Sequence, residues 1–195
     1  FTIEVSVNGQ KASSPSGKST GKYETPSYRT SLSQSIKDIK NFKELIGFEI
    51  NSFSGLSKLE SLIKKKFKLS DVKYFGANAL FALESAVLKA LAKSQNKQLW
   101  EVINPKAKRF PIPLGNAIGG GVHSKNKNHP TFQEFLLIPN KKSPKENLNI
   151  LNSSYKKLKS LINSKEKNDE GAWQTSLNNE QVLSILSLLK DVKLG

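Results

Sequence analysis

The 195-residue chain has no cysteine, no methionine and only two histidines. Without cysteine there are no disulfides, no thiolate metal ligands and no cysteine nucleophile, which fits an intracellular protein without demanding one. With no initiator methionine, and with Phe1 opening inside an alternating apolar pattern, the sequence reads as an internal piece of a longer frame, so that any targeting peptide falls outside it. No apolar run approaches the ~20 residues of a membrane span, and no membrane association is expected. The 36% hydrophobic and 24% charged content is that of a globular chain long enough for one large domain or two small ones.

Acidic residues are scarce: 16 Asp and Glu stand against 31 Lys and Arg, a formal charge of +15. Such an excess points toward a polyanion partner. Its distribution points away from one, because the lysines are spread over nearly every segment, only Lys64-Lys65-Lys66 makes a run of three, and no aromatic and basic residues interleave as on a single-strand binding face. Nucleic-acid binding is therefore not the expected function.

Residues 14–24 read SPSGKSTGKYE and contain GKST, the tail of a nucleotide-binding phosphate loop. That loop needs a glycine five residues before its Gly-Lys pair and a helix immediately after it. Ala12 stands at the glycine position, and Gly21 and Pro26 would break a helix launched from Ser19. The residues by themselves describe a Gly/Ser surface loop.

Apolar spacing predicts the rest. Phe1, Ile3, Val5 and Val7 alternate as a half-buried strand, and Asn8-Gly9 supplies a tight hairpin turn into a second strand at about 10–13. Helices are predicted at about 31–46, 56–67 and 78–93, the last apolar on nearly all sides and so buried, with a short one at about 99–103 before Asn104-Pro105. Phe110-Pro-Ile-Pro-Leu-Gly changes the character of the chain, which places a domain boundary near Lys108 and an edge or first barrel strand after it. A loop from Gly119 to about Thr131 leads to a strand from Phe132 to Ile138. Ser143-Pro144 starts a helix, and Asn178 with Gln181 starts a last one carrying residues up to Val192.

Three places could carry chemistry. Gln133-Glu134 interrupts an apolar strand, where an unpaired polar group costs on the order of 1–3 kcal/mol; one side chain facing solvent and the other pairing with a lysine would also account for them. His123 follows three glycines and a valine, an approach that allows close backbone contact with a ligand, although a lone loop histidine usually has no special role. His129 reads as an ordinary loop residue, and Asp169-Glu170 before Gly171 reads equally as a plain turn.

Taken together and in order, these segments resemble enolase, the phosphopyruvate hydratase of glycolysis. The family's SGAST-G loop with its following glutamate is matched by Ser16 to Gly21 and Glu24, and its NA helix by Asn78-Ala79 with Ala86. Its N-x-x-N-G-G-x-H segment is similar to Asn116 through His123, its QEF-x-x-x-P to Gln133-Glu134-Phe135 with Pro139, and its DEGG to Asp169-Glu170-Gly171. The chain departs from the pattern at Lys18, at Gly119 in place of an asparagine, at Ala172 in place of a glycine, and in a longer stretch between His123 and Gln133.

The resemblance implies an α+β capping domain over residues 1–108. It then implies the first two strands and two helices of an enolase-type β/α (TIM-like) barrel over 109–195, incomplete, with a third strand beginning at Gly195. It implies Mg²⁺-dependent dehydration of 2-phosphoglycerate to phosphoenolpyruvate in the cytoplasm by a homodimer. In those terms Ser19, on the mobile loop, helps hold the second magnesium, and Glu170 is the general acid. Glu134 beside Glu170 is the second catalytic carboxylate, a pair in which the neighbouring charge raises the acid's pKa; Gln133 and Glu134 line the substrate and acid site, and His123 approaches the phosphate end. The family's metal carboxylates and base lysine come from later barrel strands, so this piece alone is expected to be inactive. A non-catalytic enolase-like scaffold, or a subunit of a split enzyme, is the alternative, and a basic nucleic-acid binder the third.

Overall fold

The computed structural model describes residues 2–15 and 21–195; the side chain of His123 is also outside the described part. The chain divides into two compact units, Phe1–Lys108 and Arg109–Gly195.

In the first unit β1 (Glu4–Val7) and β2 (Gln10–Ser13) pair antiparallel with Val5 opposite Ala12. The turn between them has Asn8 and Gly9 both at positive φ, 47° and 76°, the backbone that matches the strands' own twist. Ile3, Val5 and Ala12 turn inward on one face, as period-two alternation requires. Helix α1 (Leu32–Lys40) begins on Ser31, whose hydroxyl accepts the Gln34 N–H at 3.1 Å. It ends earlier than the apolar spacing predicts. The chain leaves helical geometry at Asn41 and Phe42, and a single tighter turn at Lys43–Leu45 follows. The exit drives Phe42 into the core, edge-on to Phe67 at 5.4 Å between ring centres, and leaves Ile46 83% exposed.

Helices α2 (Leu56–Phe67), α3 (Ala77–Ser94) and α4 (Leu99–Ile103) follow. Leu59, Ile63, Phe75, Ala79, Ala82, Leu83 and Ala86 form the centre of this core, with the hairpin packed on α3. Burial of each large apolar side chain stabilises the unit by about 1.5–3 kcal/mol, and the alanines of α3 let the neighbouring backbone come close. The predicted all-round burial of α3 holds only on one face: Ala79, Ala82, Leu83, Ala86, Leu88, Leu91 and Ala92 are buried, most of the rest is partly buried, and Phe81 is 52% exposed. At its N-terminus the free Ala77 and Asn78 N–H groups donate to the Pro26 and Ser27 carbonyls at 2.9 and 3.0 Å. Gly76, at φ 102°, makes this docking possible, since a Cβ there would run into the Tyr28 and Arg29 backbone.

Glu84 is the polar exception in α3. One carboxyl oxygen is buried without a hydrogen-bond partner. Burial, together with the charge and hydrogen bond of neighbouring Glu60, raises its pKa from the ordinary 4.5 to about 7. The folded unit thus binds this proton more tightly than the unfolded chain, so its stability is highest below the ordinary carboxylate pKa and falls as pH rises toward 7. Removing the charge with Glu84→Gln is expected to flatten that fall and to raise Tm at pH 8 by roughly 4–8 °C for a gain of about 1 kcal/mol, allowing for the water that reaches the partly exposed carboxyl. Thermal melts from pH 4.5 to 8 check it.

The second unit holds β3 (Gly115–Gly119), β4 (Glu134–Pro139) and β5 (Val192–Leu194) in an antiparallel sheet of that order, with α5 (Pro144–Leu161) and α6 (Asn179–Leu186). Ser143 caps α5 and Asn178 shares a reciprocal capping box with Gln181, both as predicted. Ile118, Phe135, Leu137, Leu158, Val182 and Leu186 make its core.

Three expectations are corrected. Residues 110–114 form no strand, because Pro111 and Pro113 have no N–H to give a ladder; the first strand begins only at Gly115 and runs to Gly119, the first residue of the expected loop. The second strand starts at Glu134, and Phe132 before it is 54% exposed. Val192 is not on the last helix: the chain reverses at Asp191, φ 66°, held by Lys141 at 2.8 Å, and a third strand forms before Gly195. Among the described residues the sheet is open and no barrel closes, and no helix is long and apolar enough to cross a membrane.

Candidate functional site

The site is built on β3. Along one edge β3 pairs with β4, Gly119 opposite Glu134 and Asn116 opposite Leu136, with a bulge between Asn116 and Ile118. Along its other edge lies the segment around Trp173, running parallel: Trp173 N–H donates to Ala117 and its carbonyl accepts from Gly119, each at 3.0 Å. One strand therefore carries residues 116–119, the start of the 116–123 motif, and is flanked by the motif of 133–135 on one side and that of 169–171 on the other.

Asp169-Glu170-Gly171 occupies a tight turn organised by Asn168. Its side-chain carbonyl accepts from Glu170 N–H at 3.0 Å and Ala172 N–H at 2.9 Å, while its backbone N–H donates to the Ala172 carbonyl at 2.9 Å. Gly171 takes φ 84°, and the Tyr155 hydroxyl donates to its carbonyl. The turn is anchored below by Trp173, which is stacked on Tyr155 at 4.9 Å, donates its indole N–H to the Tyr155 carbonyl at 2.9 Å, and meets the Lys167 ammonium 4.6 Å from its ring centre. Glu170 itself is exposed, and its carboxylate accepts from the Asn116 amide at 3.1 Å.

Gln133 and Glu134 are both exposed, at the end of β4 where no desolvation cost arises. The Gln133 carbonyl accepts from Gly120 N–H at 2.9 Å, which ties the glycine loop to this strand. Asn179, at the start of α6, fixes the approach: its side-chain oxygen accepts from Thr131 and Phe132 N–H at 2.9 and 3.2 Å. His123 lies in the short turn Gly121–His123 by its backbone. Ser19 and Lys18 lie outside the described residues, and the described end of their loop is a turn in which Glu24 accepts from Gly21 N–H at 2.9 Å.

The structure thus gathers the Gly119, Gln133-Glu134 and Glu170 segments around one strand, β3, with β4 on one edge and the Trp173 segment on the other. Glu170 reaches Asn116, whose partner Leu136 is two residues from Glu134, about 7 Å along the β4 backbone at the strand rise. Magnesium takes several oxygen donors with one or two carboxylates. Among the described residues no three His, Asp or Glu side chains group as a metal site, so the described donors do not by themselves fit the ion.

Sequence reasoning placed a turn at residues 168–171 but missed the role of the Asn168 side chain in it, and it missed Asn179 and the action of Asn116 on Glu170. The available signal for Asn168 was an asparagine opening a Gly-containing turn. Asn168 also accounts for a departure noted above, since a Cβ at Gly119 would fall inside contact distance of the Asn168 amide nitrogen and touch Ala172 Cβ at 3.4 Å.

A model of the enolase C-terminal TIM barrel domain family matches residues 107–189. The chain is 32% identical to the enolase of Methanothermobacter thermautotrophicus over 199 residues, covering 94% of this chain and 47% of that protein. It is 32% identical to the enolase of Methanosphaera stadtmanae, with coverage of 94% and 47%, and 30% identical to that of Thermoplasma acidophilum, with 96% and 49%. The family match thus falls on the second unit. The chain as a whole is an enolase homologue, and it spans about half the length of the curated relatives it matches.

The Gly119 packing predicts the effect of filling it. Gly119→Ala is expected to destabilise the second unit by roughly 1–3 kcal/mol through overpacking against the buried amide, read as a fall in the urea midpoint. An unchanged midpoint would contradict the packing described.

Proposed function

We propose that this chain contributes the capping domain, residues 1–108, and the opening part of the barrel, 109–195, to an enzyme that dehydrates 2-phosphoglycerate to phosphoenolpyruvate. The observation that carries the reading is the convergence on β3 of the motif segments that resemble enolase, in a chain matched to enolases over 94% of its length. Glu170 is the general acid: its carboxyl proton passes to the departing hydroxyl as the C–O bond breaks, and the hydroxyl leaves as water. Gln133 and Glu134 line the same side of the substrate, and His123 meets its phosphate end. Ser19 is a magnesium ligand in this reading, and the acidic metal ligands and the base lysine are not among these residues. A cytoplasmic homodimer without membrane or nucleic-acid partners completes the reading.

Turnover of 2-phosphoglycerate by the gene product that carries this sequence tests it. Glu170→Gln is expected to lower kcat by about a hundred- to ten-thousandfold, the usual worth of a positioned general acid, with KM changed little. A folded wild-type protein that neither turns over nor binds 2-phosphoglycerate would favour the non-catalytic, scaffold-like alternative.

A further inference from the structure

Glu170 stands on an unusually well-fixed piece of backbone. Asn168 holds the N–H groups on both sides of the turn tip, Gly171 N–H donates to the Asn168 carbonyl at 3.1 Å, and the turn runs directly into the Trp173 pairing with β3. Such a base leaves only the side-chain torsions free, and these are met by one group, the Asn116 amide, which donates to the carboxylate at 3.1 Å. Asn116 is in turn fixed by its pairing with Leu136.

The other end of this amide is informative. Asn116 Oδ1 is buried and has no hydrogen-bond partner. A buried acceptor left unpaired weakens a fold, and an apolar side chain of the same shape would avoid that cost. Packing therefore gives no reason for an amide at this place, and the group it addresses is Glu170. An amide suits a carboxyl that changes its proton state, because it offers an N–H to the ionised form and a carbonyl oxygen to the O–H of the neutral form. A cavity of about 170 Å³, lined by Asn116, Leu137, Leu151, Asn152 and Tyr155 among others, gives the amide room to turn between the two.

We propose that Asn116 is a positioning residue for Glu170, aiming its carboxyl and receiving it in both proton states. The inference rests on the acid role given to Glu170 above and names the residue on which that role depends.

A double-mutant cycle in the gene product that carries this sequence tests it, with kcat and KM for 2-phosphoglycerate measured for wild type, Asn116→Leu, Glu170→Gln and the double variant. Asn116→Leu is expected to keep its thermal stability, because it removes the unpaired acceptor. It is expected to lower kcat about ten- to a hundredfold, the factor implied by losing one hydrogen bond to a charged group, with KM unchanged. In the Glu170→Gln background the same change is expected to cost nothing further. Should the leucine variant not fold, Asn116→Asp, close in shape but without the N–H donor, is expected to give the same non-additive loss. A strong Glu170→Gln defect combined with an undiminished or an additive Asn116 variant would overturn this inference alone. A wild type without turnover, or a fully active Glu170→Gln variant, would overturn the functional reading and this inference with it.

Discussion

The docking of one tight turn against β3 is the constraint on which the site depends. Trp173 exchanges backbone hydrogen bonds with Ala117 and Gly119, and this short parallel contact carries the whole of residues 168–172 to the edge of the strand. Everything distinctive about the turn serves that placement. Asn168 replaces solvent for two buried-side N–H groups, Gly171 supplies the left-handed backbone, and the Tyr155–Trp173 stack fills the space beneath. A residue with a side chain at 119 would contest the same volume, so the glycine and the asparagine are two parts of one packing solution.

The first unit fixes its chain at two described places. Thr2, ahead of the hairpin β1–β2, donates its hydroxyl to the Ser14 carbonyl at 2.7 Å, and Pro26 and Ser27 cap α3. Both anchors rest on α3, the first through alanine packing under the hairpin and the second through the space left open at Gly76. The price of this compact arrangement is Glu84, a carboxyl held in α3 beside Glu60 with one oxygen unsatisfied.

Much of this was legible in the chain because local rules decided it. Asn8-Gly9 sets a hairpin whatever surrounds it, the Ser143-Pro144 and Asn178/Gln181 caps start helices from their own side chains, and α2 keeps the bounds that its apolar period gives. The reading failed where tertiary packing outvoted local pattern. Phe42 left the helix because the core around Phe67 had room for it, and Val192 joined a strand because β4 still offered a free edge. At the site, the motifs pointed to Gln133, Glu134 and Glu170, yet the contacts by which the asparagines arrange them were not visible. Asn116 lies 54 residues from Glu170 in the chain, and only the fold brings its amide to the carboxylate.

Amide hydrogen exchange on the purified chain would test the central claim most directly, with Gly119, Ala172 and Trp173 as the reporters. If the turn is docked on β3, these three amides should be protected together and to a degree comparable with Phe135 and Leu137 in β4. Exchange of Ala172 and Trp173 at the rate of an open loop, while β4 stays protected, would mean that the 168–172 turn stands away from the strand and that the site described here does not assemble.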